Sequence, residues 1–109
     1  MSRQSSLCVV KLVGELDIGQ RDEVAAALRL DDGDGPVLVD LGEVTYADST
    51  VIGELLRFRN DAEARGRRIA LLIGSPQFAR LLQYAGLPEA FAVFDNRAAA
   101  LTFLAGAGP

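Results

Sequence analysis

Two short runs, Val37-Leu38-Val39-Asp40-Leu41 and Ile69 to Ile73, are apolar at nearly every position, with none of the alternation of a strand that shows one face to water. Runs of this length and β-branched content are strands buried on both faces, and burying both faces requires a sheet covered by helices. The rest of the chain offers such helices. A first strand is predicted from Leu7 to Val13, with Gly14-Glu15-Leu16-Asp17 as strand end and turn. A helix follows from about Gln20 to Leu30, with Val24, Ala27 and Leu28 spaced toward a core. The turn residues Asp31-Asp32-Gly33-Asp34-Gly35-Pro36 break it. After Leu41 and a short loop, Ser49 to Arg65 reads as a helix with Gly66 as its stop. Ser75-Pro76 supplies an N-cap and a first-turn proline for a helix reaching Ala85, closed by Gly86 with Pro88 beyond. A last strand near Phe91 to Phe94 leads through Asp95, read as a cap, into a helix over Ala98 to Leu104.

Strands joined by helical crossovers lie mostly parallel, and such crossovers are right-handed. The expected fold is therefore α/β: a small, mostly parallel or mixed sheet of about four strands with about four helices packed on it. A chain of 109 residues, 50% hydrophobic and 24% charged, fits one domain with a real core. That domain is expected over residues 7–104, between a short polar N-terminus (1–6) and a flexible tail (105–109). The apolar runs are too short to cross a bilayer, and Met1 to Ser6 lacks the apolar stretch of a signal peptide. A cytoplasmic protein without membrane insertion is expected.

Composition also excludes several kinds of chemistry. The chain has no His, which removes imidazole acid/base catalysis, phosphohistidine chemistry and the commonest metal ligand together. The single Cys8 has no partner for an intramolecular disulfide and reads as a buried thiol. Net charge is −4, with basic residues spread thinly apart from Arg65-Gly66-Arg67-Arg68, so nucleic acid is not an expected partner. That cluster reads as the close of one helix and the opening of the next strand. Asp17 and Asp48 are paired carboxylates, but no nucleophile arrangement or Walker-type loop accompanies them, and Gly33-Asp34-Gly35-Pro36 is a turn, not a phosphate cradle. No catalytic residue, metal ligand or cofactor is assigned.

Asp48-Ser49-Thr50 carries the functional expectation. It places hydroxyls at a helix entrance, where acidic and hydroxyl side chains cap and where the backbone N–H groups favour an added anion. Projected at about 3.6 residues per turn, Val51, Ile52, Leu55, Leu56, Phe58 and Ala62 share one apolar face, with Thr50, Glu54, Arg57 and Asp61 opposite. The projection puts Thr50 about 145° from the apolar centre and Ser49 about 115° away, so Thr50 is expected to be the more exposed hydroxyl. Plain capping explains these side chains too, and a solvated helix surface explains Glu54 and Arg57. Leu81, Leu82 and Tyr84 read as core or rim packing, and Phe91 and Phe94 as strand core.

Gly14-Glu15-Leu16-Asp17, Asp48-Ser49-Thr50 and Ile52-Gly53, followed by the Ser75-Pro76 helix and the Ala85-Gly86-Leu87 turn, resemble the STAS domains of sulfate transporters and anti-sigma factor antagonists from about Leu7 to Leu104. The resemblance implies a stand-alone anti-sigma factor antagonist. In such proteins the hydroxyl after the acidic residue is phosphorylated by a serine kinase that is also the anti-sigma factor, and the unmodified form binds that kinase. Carried over, Thr50 and Ser49 are the phosphorylation positions, Asp48 is the motif acid, and Asp17 sits beside it. Asp17, Asp48, Thr50, Glu54 and Arg57 form the expected partner-binding surface. Three departures stand out: Val51 replaces the family's usual glycine, Gln20 lies near a usual small hydroxyl residue, and Met1 to Ser6 is too short and polar for the extra first strand of many members. The last leaves one sheet edge open, covered by a partner or paired in a homodimer. The first favours an alternative, a constitutive STAS subunit bracing a lipid-transport ATPase or a stress-signalling complex without phosphorylation.

Overall fold

The computed structural model describes residues 6–106. Four strands, β1 (Cys8–Leu16), β2 (Val37–Ala47), β3 (Ile69–Ile73) and β4 (Ala92–Phe94), form a sheet in the order β1-β2-β3-β4 with every neighbouring pair parallel. Five helices connect and cover them: α1 (Arg21–Ala27), α2 (Ser49–Ala64), α3 (Pro76–Tyr84), α4 (Leu87–Ala90) and α5 (Arg97–Leu104), with a 3-10 turn at Ile18–Gln20 before α1. The two apolar runs pair with each other in the middle of the sheet, from Val37 opposite Ile69 to Leu41 opposite Ile73. Burial on both faces follows from that central position.

One face of the sheet packs Val10, Leu12, Val39 and Leu41 against α1, α2 and α3, where Leu28, Phe58 and Phe78 are fully enclosed. Removing a ring of this size from water contributes about 3 kcal/mol. The other face joins Leu38, Ala70 and Leu72 to Ala100 and Leu104 of α5. Asp40 is buried on that side, and it tolerates burial because its carboxylate accepts the Gly42 N–H at 2.9 Å and pairs with Arg97 at the start of α5.

Several boundaries differ from the expectation. β1 continues through Gly14-Glu15-Leu16, and β2 continues through the stretch expected to be a loop, ending at Ala47. Register shifts between Lys11 and Val13 and between Gly14 and Glu15 let the longer β2 keep pace with β1. The first helix shrinks to Arg21–Ala27, with Leu28 as its C-cap, and Ala27 faces solvent instead of the core. The α3 helix ends at Gly86, which adopts φ 75, and an unforeseen short helix, α4, begins at Leu87 with Pro88 in its first turn. Asn96, not Asp95, caps α5, its side chain accepting the Ala99 N–H at 3.0 Å. Leu82 and Phe91 are core, Leu81 and Phe94 are half-buried, and Tyr84 is 91% exposed. Cys8 is half-buried rather than fully enclosed.

The arginine cluster is structural. Arg67 is buried, donating from Nε to the Gly35 carbonyl at 2.6 Å and from Nη1 to the Asp31 carbonyl at 3.3 Å, while Nη2 lies 2.8 Å from the Asp31 carboxylate. This guanidinium holds the Asp31 carboxyl below its usual range. Arg68 lies over the Phe103 ring, 5.2 Å from its centroid. Of the expected terminal segments, residues 1–5 and 107–109 lie outside the described residues; Ala105 and Gly106 finish α5 through backbone bonds to Leu101 and Phe103.

Candidate functional site

The site is built where β1 and β2 end together. Leu16 pairs with Ala47, and the Asp48 N–H donates to the Leu16 carbonyl at 2.9 Å. The next residues, Asp17 and Asp48, therefore leave the sheet beside one another, each opening a helical turn. Asp17 accepts the Gly19 N–H at 2.8 Å, while the Gln20 side chain accepts the Asp17 N–H at 3.0 Å. This reciprocal box is what Gln20 contributes in place of a small hydroxyl. Asp48 caps α2, accepting the Thr50 N–H at 2.7 Å from an extended backbone at φ −68, ψ 157.

The two hydroxyls are exposed in the reverse of the projected order: Ser49 is exposed and Thr50 is half-buried. The apolar face was placed well, since Val51, Ile52, Leu55, Phe58 and Ala62 are buried and Leu56 half-buried. On the opposite face the projection held for Arg57 and Asp61, which are exposed, and failed for Thr50 and Glu54; α1 packs against α2 at Glu54. Glu54 has only 13% of its side chain exposed. It lies 3.8 Å from Arg21 Nη2 and accepts from Arg57 Nε at 2.9 Å. Arg57 also pairs with Asp61 at 3.0 Å and donates to the Leu28 carbonyl at 3.3 Å, where α1 ends. Glu54 and Arg57 thus pin α1 to α2 at the rim of the site, while Asp17, Asp48, Ser49 and Thr50 form its centre.

Two residues at this rim escaped the sequence reading. Arg21 reaches Glu54 across helices, a contact without a spacing signal. Ile18, directly after Asp17, is 67% exposed; a large apolar side chain in a polar turn was the available clue. Both carboxylates are occupied as caps, and among the described residues no His, Cys, Asp and Glu group is arranged to hold a metal ion. What it presents outward is a hydroxyl at a helix N-terminus beside two negative charges.

A parallel sheet covered by helices, with hydroxyls behind an aspartate cap at the β2–α2 junction, defines an α/β domain of the STAS kind. The chain belongs to that family: the family described as "Mlab, STAS domain" matches residues 1–93. No curated protein matches it. Among solved structures it is similar to a sulfate transporter family protein from Wolinella succinogenes, at TM-score 0.73 and 22% identity over 94% of this chain and 88% of that one. It is also similar to the anti-sigma factor antagonist SpoIIAA in its unphosphorylated form, at TM-score 0.70 and 22% identity over 97% and 94% of the two chains. The Bacillus cell fate determinant SpoIIAA in its phosphorylated form aligns at TM-score 0.57 and 22% identity over 92% and 93%. At these identities the likeness concerns the fold. Among the described residues, no helix is long and apolar enough to cross a membrane.

Proposed function

We propose that this protein is a non-enzymatic partner-switching regulator, an anti-sigma factor antagonist that binds a serine-kinase anti-sigma factor when unmodified and is released when the Asp48-Ser49-Thr50 entrance is phosphorylated. The observation that carries the reading is the exposed Ser49 hydroxyl in the first turn of α2, with Asp17 and Asp48 beside it. The likeness to SpoIIAA supports it at the level of fold. Physically, a phosphate adds about −1.5 to −2 charges. The Thr50 N–H is already occupied by Asp48, so the added charge is not absorbed by that donor and instead meets two acids. It therefore acts on whatever docks there, through repulsion and desolvation. Asp17, Asp48, Ser49 and Thr50 form the centre of the docking surface, with Ile18 at its rim and Glu54 and Arg57 holding that rim. The test is incubation with the cognate kinase and ATP, then mapping of phosphate by mass spectrometry: modification at Ser49 or Thr50 is expected, and a clean negative at both would falsify the switch.

The half-burial of Thr50, together with the fully buried Val51 behind it, favours a second reading in which the domain is a constitutive subunit bracing a lipid-transport ATPase or a stress-signalling complex. Substitution of Asp at Ser49 and at Thr50 separates the two. A fixed brace keeps its partner in both variants; a charge switch loses it.

A further inference from the structure

In the sheet, β1 has β2 as its only neighbour, so among the described residues its outer edge is unpaired. Cys8 donates its N–H to the Pro36 carbonyl and Leu16 accepts from the Asp48 N–H, both on the β2 side. Backbone groups alternate along a strand, so Val9, Lys11, Val13 and Glu15 turn their N–H and C=O groups to the open edge. Their side chains stand on the sheet face where the α5 core draws on β2 and β3 but on no residue of β1. Val9 and Val13 are accordingly 48% and 55% exposed. Between β1 and α1 an open groove of about 430 Å³, bordered by Gln20, Glu23 and Ala27, leaves the strand accessible. An edge of unpaired backbone with exposed valines is a template for another strand.

We propose that β1 pairs antiparallel with β1 of a second copy about a two-fold axis at Val13, joining two four-stranded sheets into one. The exposed side chains read valine, lysine, valine, glutamate from Val9 to Glu15, and this order is self-complementary. In the stated register Val13 faces its own counterpart, while Lys11 faces Glu15 of the other copy and Glu15 faces Lys11 of the other copy. All three positions point their backbone outward, so each opposed pair exchanges two hydrogen bonds, about six in total. Neighbouring registers do worse. An axis at Lys11 opposes two ammonium groups, one at Leu12 sets each lysine against a valine, and one at Gly14 sets each Val13 against a glutamate. Gly14, at φ 87, falls opposite Leu12 of the other copy, a position whose backbone faces β2 and makes no bond across the axis. Lys11 already holds Glu43 at 2.8 Å, so Glu15 of the other copy completes an acid–base–acid chain on this face.

Sedimentation velocity on the full chain, from micromolar to near-millimolar concentration, tests the pairing. A concentration-dependent dimer is expected. Glu15→Lys leaves the Lys11–Glu43 pair intact, yet symmetry makes it oppose two like-charged pairs, so Kd rises about tenfold or more. Lys11→Glu does the same, and the double swap Lys11→Glu/Glu15→Lys restores Kd to within about threefold of the parent. Circular dichroism on each variant confirms an unchanged fold, as expected for exposed positions. A chain that stays monomeric throughout overturns the proposal, and so does a dimer whose Kd ignores both single substitutions.

Discussion

The N–H of Asp48 donates to the carbonyl of Leu16 at 2.9 Å, so the last pairing of β1 with β2 and the first residue of the α2 cap are one continuous hydrogen-bonded unit. This places two acids from distant parts of the chain at one helix entrance. Asp48 then has two separable duties, as a cap and as a charge. Asp48→Ala removes both and costs about 1 kcal/mol, lowering Tm by about 5 °C, while Asp48→Asn keeps the cap and holds stability within about 0.5 kcal/mol. Thermal unfolding beside partner-binding measurements on the two variants separates the duties: equal stability loss would refute the capping role.

Ser49→Asp puts a carboxylate at the first position of α2, where the helix dipole welcomes it. Unfolding free energy is expected to stay level or rise by about 0.5 kcal/mol, while capture of the proposed kinase-type partner is lost. Denaturant titration and a pull-down read the two effects separately; a destabilised Ser49→Asp protein would mean that the first turn is more crowded than its exposure indicates.

Val51, in place of the glycine that the STAS resemblance leads one to expect, lies in the first turn of α2 with its side chain fully buried. Val51→Gly therefore opens a cavity and loosens the helix at once, for a loss of about 3 kcal/mol in chemical denaturation. A loss below about 1 kcal/mol would show that the side chain contributes little packing.

Arg67 ties the loop after α1 to the start of β3. Arg67→Ala strands the Gly35 and Asp31 carbonyls and is expected to cost about 2 kcal/mol. Because Arg67 lowers the Asp31 pKa in the folded state, the stability from this pair is present above the unfolded value of 3.8 and disappears as pH falls through the depressed folded value. Asp31→Asn should flatten the acid limb of a stability-against-pH curve; an unchanged limb would contradict the pairing.

Two glycines make opposite predictions. An added Cβ at Gly53 meets nothing within 4 Å, so Gly53→Ala on the exposed side of α2 should stabilise by about 0.5–1 kcal/mol. At Gly74 the same atom would clash with the Gly42 carbonyl oxygen, where the end of β3 meets the middle of β2, and Gly74→Ala should cost about 2 kcal/mol. Melting temperatures moving in the same direction would overturn one of the two.

Legibility along the chain followed the range of the governing interaction. The strand Ile69–Ile73 matched to the residue, as did the Asp48 cap, the Ser75-Pro76 start of α3 and the Gly86 stop, because each rests on local stereochemistry or on an unbroken apolar run. The extension of β2 to Ala47 was hidden, since residues 42–47 pair with a β1 that itself runs past Gly14. Asp40 was read as part of an apolar run, and its burial depends on Arg97, which lies far along the chain.

The sequence by itself determined the alternation of strands and helices, the two-sided burial of the central strands, and the presence of hydroxyls behind an acidic cap, since spacing and side-chain shape fix these within a few turns. Tertiary structure alone decided which hydroxyl meets solvent. The α1 helix lies against α2 and brings Arg21 to Glu54, Thr50 is half-buried while Ser49 is exposed, and an isolated helical projection contains no second helix.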